Sequence, residues 1–74
     1  MKLPHVPVRS TNIASIGYDP ASQQMQVKFH SGATYNYFGV HPSVNDALMS
    51  ATSKGQFFDQ QIKNRYRSHK EHGA

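Results

Sequence analysis

The sequence predicts an α+β fold: a three-stranded antiparallel β-meander followed by two α-helices packed on one face, in the order βββαα. Three observations carry this expectation. Short apolar/polar alternations recur in the first half of the chain, turn-forming residues separate them by a few positions, and the second half switches to helical spacing. A chain of 74 residues makes one domain, and it buries only roughly 60% of its unfolded surface.

Residues 1–11 read as a flexible arm. Pro4 and Pro7 disfavour helix, and Leu3, Val6 and Val8 are apolar without helical spacing. Residues 13–18 form the first strand, and Asp19-Pro20-Ala21-Ser22 supplies the turn, since Asp bonds nearby backbone and Pro presets φ. Met25, Val27 and Phe29 then alternate with Gln26, Lys28 and His30, as in a half-buried strand. Ser31-Gly32 turns the chain into a third strand over 33–38. Strands this close in sequence pair only as an antiparallel meander.

Gly39 ends the sheet, and His41-Pro42-Ser43 opens a helix in which Val44, Ala47, Leu48 and Ala51 form a narrow stripe. Ser53 followed by Gln56 is a capping box that opens a second helix, with Phe58, Ile62 and Tyr66 on one face. The folded domain therefore spans residues 12–66, and residues 67–74, which lack apolar periodicity, read as a flexible basic tail. The helices are expected to bury Met25, Val27, Phe29, Val44, Leu48, Phe58 and Ile62, leaving Gln26, Lys28 and His30 on the opposite sheet face. Tyr35 and Tyr37 share a face, and which face that is depends on the strand register.

Ile16-Gly17-Tyr18-Asp19, the segments 25–29 and 32–40 with the central Tyr35-Asn36-Tyr37, and Ser53-Lys54-Gly55-Gln56-Phe57-Phe58 together resemble the KTSC domain family. The resemblance runs from about Arg9 to Tyr66. It implies kinship with a domain at the C-terminal end of some lysyl-tRNA synthetases and with small stand-alone bacterial and phage proteins. Some small phage-encoded regulators that this chain resembles bind host RNA polymerase, inhibit initiation and promote antitermination.

Composition narrows the functional classes. The absence of cysteine rules out a disulfide framework and a thiol nucleophile, and no apolar run reaches membrane-spanning length. These features fit a soluble, monomeric, cytoplasmic protein, in the host cytoplasm if phage-encoded. Eight Lys and Arg against four Asp and Glu give +4, which favours anionic partners such as nucleic acid or an acidic protein surface. Asp19 lies in a turn, Asp46 and Asp59 near helix starts, and Glu71 in the tail, so no carboxylate pair is set for acid/base work and no catalysis is expected.

The five histidines do not form a metal-ligand pattern: His69 and His72 lack neighbouring Asp or Cys ligands, and structural zinc takes four ligands. No metal or cofactor is expected. Ser53-Lys54-Gly55 lacks the glycine and Gly-Lys-Ser order of a P-loop, and reads as a helix cap with Gly55 packed against the preceding helix.

Two non-catalytic functions follow. In the first, the chain docks on bacterial RNA polymerase and occludes σ factor, with Leu3, Pro4, Val6, Val8 and Arg9 of the arm as contacts. In the second, it binds RNA or tRNA. Lys28, Lys54, Lys63, Arg65 and Arg67 would supply charge, and Tyr35 and Tyr37 stacking surfaces, in an aromatic-basic sheet face joined by Tyr18 and His30.

Overall fold

The computed structural model describes residues 3–71. It contains β1 (His5–Pro7), β2 (Ile13–Asp19), β3 (Gln24–Phe29), β4 (Thr34–Phe38), α1 (Pro42–Ser50), α2 (Lys54–Gln61) and β5 (Arg67–Glu71). All five strands join one antiparallel sheet in the order β1-β2-β3-β4-β5. The class is α+β as expected, but the three-stranded meander is extended by a strand at each edge.

Both added strands come from segments expected to be flexible. Edge strands need no alternation, because neither face has to be buried for the backbone to pair. Pro7 is tolerated in β1 because an edge strand can leave one side of its ladder unpaired. Residues 1–2 and 72–74, the extremities of the arm and tail and with them His72, lie outside the described residues.

The inner hairpins follow the turn chemistry of the sequence. The Asp19 carboxylate accepts from the Ala21 amide at 3.1 Å and from the Ser22 hydroxyl at 2.8 Å, and Gln23 closes the turn with φ 58°. Gly32 adopts φ 98° in the β3–β4 turn, a conformation that suits a residue without Cβ. The His41 side chain accepts from the Ser43 amide at the start of α1, with Pro42 in the first turn. The Ser53 hydroxyl accepts from the Gln56 amide at 3.3 Å to open α2.

That second helix stops at Gln61, short of Tyr66. The amides of Ile62 and Lys63 both donate to the Phe58 carbonyl, and the Arg65 amide donates to Ile62, so the chain curls out of the helix and into β5.

Both helices cover one sheet face. The core there is built from Ile13, Ile16, Met25, Val27, Tyr37, Val40, Leu48, Phe58 and Ile62, with Phe29 and Val44 only partly buried against it. The other face is not the open polar surface expected. Gln26 is 2% exposed, because the N-terminal segment folds over it.

Gly17 makes that overlay possible. A Cβ there would lie 2.8 Å from Cδ2 of His5 and 3.0 Å from the Pro4 carbonyl oxygen. Its bare backbone lets the His5 ring reach across β2, where Nε2–H donates to the Gln26 side-chain carbonyl at 2.8 Å. Nδ1 of the same ring accepts from the Ser15 hydroxyl at 2.8 Å. The Gln26 amide then donates to Glu71 on β5 at 3.2 Å, and the Asn36 amide donates to the same oxygen at 3.4 Å. Side chains thus link the first strand to the last across the sheet.

Candidate functional site

Register settles the position of the tyrosine pair. Tyr37 is opposite Met25 and Tyr35 is opposite Val27, so both face the helices. There they enter a cluster of four aromatic rings. Phe29 meets Tyr35 edge-on at 5.8 Å and Phe58 at 5.5 Å, and Tyr37 meets Phe58 at 5.4 Å and lies 6.5 Å from Tyr35. Such geometries suit the ring quadrupoles and fix the side chains in place.

Tyr37 and Phe58 are sealed in the core, whereas Tyr35 and Phe29 are half-buried and form the floor of a groove. The groove is about 780 Å³ and runs between the β3–β4 turn, β5 and the end of α2. Lys70 stands beside Tyr35 as its cross-strand partner, and Ser68 beside Tyr37. Lys63, Asn64 and Asp59 close the α2 side. Burial, followed by the neighbouring Tyr35 and Asp59, pushes the Tyr37 hydroxyl up to about 12, so it stays a neutral group at ordinary pH.

The groove therefore combines Tyr35 and Tyr37 with Lys63, as two parts of the same predicted surface, and adds Lys70. It does not gather the other predicted cations. Lys28 lies on the opposite sheet face, in a second cleft of about 390 Å³ with Thr34 and Glu71. The Lys54 ammonium donates to the Ala51 carbonyl at 3.1 Å and so caps the end of α1. Arg65 donates to the Gln60 carbonyl at 3.3 Å. The Arg67 guanidinium lies 5.8 Å from the Phe38 ring centroid, its cross-strand partner.

The wider aromatic-basic face is assembled only in part: His30 lines the same groove as Tyr35 and Tyr37, whereas Lys28 and Tyr18 do not. The Tyr18 hydroxyl donates to the Val40 carbonyl, and burial raises its pKa. His30 sits in the turn after β3, where its Nε2–H donates to the Ser10 carbonyl at 3.0 Å. Gly55 packs against the segment before β2 and not against α1, since a Cβ there would lie 2.7 Å from Oδ1 of Asn12.

The arm residues are equally dispersed. Leu3 is buried over the Gln26 face, Val8 packs against the core, and Pro4 and Arg9 are exposed. Val6, at 53%, is the exposed large apolar side chain of the described residues. His69 pairs with Asn36 across β4–β5, and among the described residues no three His, Asp or Glu side chains gather to hold a metal ion. No helix among them is long and apolar enough to cross a membrane.

Sequence reasoning missed Lys70, Asp59 and Asn64 as groove residues. Lys70 becomes visible only once residues 67–71 are paired with β4; Asp59, expected as a helix-start charge, instead lies in the second half of α2, whose first turn holds no acidic residue. The chain is thus a small α+β domain, a helix-covered antiparallel sheet with an aromatic-floored, lysine-flanked groove.

Residues 9–66 match the KTSC domain, and the chain belongs to that family. A protein of Tsukamurella paurometabola is 45% identical over 62 residues, covering 84% of this chain and 92% of the relative. A lysine–tRNA ligase of Nostoc punctiforme is 40% identical over 55 residues, which cover 74% of this chain and 10% of the ligase. The crystal structure of a KTSC domain protein from Yersinia pestis superimposes with a TM-score of 0.92 at 39% identity, covering 96% of this chain and 100% of that one.

Proposed function

We propose that the chain is a non-catalytic RNA-binding module whose groove takes unpaired nucleotides. The observation that carries this reading is the gathering of Tyr35, Lys63 and Lys70 around one groove. A half-buried ring held by Phe29 and Tyr37 offers a base a surface that is ordered before binding, and the two ammonium groups suit the flanking phosphates. Relatives in which this domain accounts for a tenth of a lysine–tRNA ligase, an enzyme named for its tRNA, support the same reading.

Docking on RNA polymerase with occlusion of σ factor is the second reading. Of its arm contacts Pro4, Val6 and Arg9 are exposed, whereas Leu3 and Val8 are engaged by the chain's own sheet and core.

The test is fluorescence anisotropy of a short labelled single-stranded RNA, with a duplex of the same sequence as control. Tyr35→Ala is expected to weaken binding by roughly 5- to 150-fold, the equivalent of about 1–3 kcal/mol of base stacking. Lys63→Glu with Lys70→Glu is expected to lower the salt slope by about 1.4, as two phosphate contacts to a single strand require. Equal affinity for the duplex, or an unaffected Tyr35→Ala, overturns the proposal. Recovery of RNA polymerase subunits from nuclease-treated lysate, without RNA affinity, would favour the docking reading.

A further inference from the structure

Asp59 is the one carboxylate among the residues lining the tyrosine groove. It is exposed and makes no hydrogen bond or ion pair with the described residues. Lys63 follows at the spacing from which a lysine ordinarily pairs with an acid on a helix. Here the helix ends at Gln61, and Ile62 leaves helical geometry with φ −122°, so Lys63 is carried away from Asp59. Two opposite charges thus stand separately on the same wall.

A free carboxylate is a poor neighbour for a phosphate, because like charges repel at short range. It is a strong acceptor, however, for side-by-side N–H donors, which it can take in a bidentate pair. Among the four RNA bases only guanine presents two adjacent donors, N1–H and N2–H, on its Watson–Crick edge. Adenine and cytosine set a ring acceptor beside their amine, and uracil has a single N–H between two carbonyls. A carboxylate repels all of those flanking acceptors.

Asp59 also faces the groove floor. Its charge is one of the causes that raise the pKa of Tyr37, the residue beside Tyr35 in the aromatic cluster. Asn64, on the same wall, makes no hydrogen bond through its side chain and adds an amide able to donate to a guanine carbonyl.

We infer that Asp59 reads the base seated on Tyr35 and selects guanine, with Lys63 and Lys70 holding the flanking phosphates. This rests on the RNA-binding reading, to which it adds a base preference. The charge division explains why an acid is placed in a groove otherwise suited to an anion: the lysines take the backbone and the carboxylate takes the base edge.

The test uses the full chain and four labelled RNAs, identical except for G, A, C or U at one central position. The wild type is expected to favour the G-containing strand by about 5- to 150-fold, the discrimination of one bidentate contact. Asp59→Asn should erase that preference while leaving affinity for the other three strands equal or higher, since a charge that repels phosphate is removed. Asp59→Ala should do the same, with circular dichroism confirming that both variants are folded. Equal binding of all four strands by the wild type, or a G preference that survives both substitutions, overturns the inference and leaves RNA binding intact. Failure to bind any strand overturns both.

Discussion

Tyr35 and Tyr37 are two residues apart on one strand face, yet they have different chemical environments. Tyr35 borders the groove, whereas Tyr37 is 4% exposed and packs edge-on against Phe58. Burial is the largest cause that pushes the Tyr37 hydroxyl up to about 12, ahead of the charges of Tyr35 and Asp59. An unfolded tyrosine titrates near pH 10. Below that pH both states hold the proton, and the neutral buried hydroxyl contributes its full stability. Between about pH 10 and 12 the unfolded chain loses its proton first, so the folded state binds more protons and stability falls as pH rises. The loss amounts to about 3 kcal/mol once both states are ionised. Urea midpoints measured at about pH 9 and about pH 11.5 should therefore drop steeply for the wild type and less for Tyr37→Phe. Equal drops would assign the alkaline instability to another group, with Tyr18, whose pKa is also raised, the first to examine.

The strand elements that the sequence reveals are those with one face against the core. Alternation locates β2, β3 and β4 to within a residue or two, because Met25 and Val27 must be dry. It is silent on β5, where Arg67, Ser68, His69 and Lys70 are all exposed and the pairing with β4 is made by backbone. The same silence scattered the predicted site. A cluster of cations in sequence becomes separate positions once residues 63–67 turn and residues 67–71 extend, since neighbours on a strand point to opposite faces. Tyr35, Tyr37 and Lys63 were legible as binding residues, and Lys70 was not, because its partner Tyr35 is thirty-odd residues away in sequence. If β5 is structural, a chain ended after Tyr66 should be damaged and not merely trimmed. It would lose the pairing of β4 with β5 and the bonds from the Gln26 and Asn36 side-chain amides to the Glu71 carboxylate. The buried Asn36 donor stranded in this way costs about 1–3 kcal/mol, against a total of about 4–11 kcal/mol for a domain of this size. A thermal melt followed by circular dichroism should show a much lower midpoint or no cooperative transition. An unchanged melt would return residues 67–74 to the status of a tail.

At the scale of the whole molecule, the five strands lie in sequence order, but both helices intervene before the last strand. The two edges of the sheet are therefore also nearly the two ends of the chain, and the polar relay ties them together. His5 on β1 donates to Gln26 on β3, and Gln26 donates to Glu71 on β5. A glutamine that is 2% exposed thus takes side-chain hydrogen bonds from both edge strands at once. Loss of either strand removes one of these bonds and loosens Gln26 toward the other. The two edge strands should accordingly be coupled through Gln26. A double-mutant cycle of His5→Ala and Glu71→Ala, measured by urea unfolding, is expected to give an interaction energy of about 0.5–1 kcal/mol, with the second substitution costing less once the first is made. A matching cycle of Tyr18→Phe and Glu71→Ala should be additive, since the Tyr18 hydroxyl bonds to Val40 outside the relay. Additivity in both cycles would mean that each edge strand is held by its own backbone ladder alone. Coupling confined to the first would identify Gln26 as the residue through which a domain this small holds its two ends in one cooperative unit.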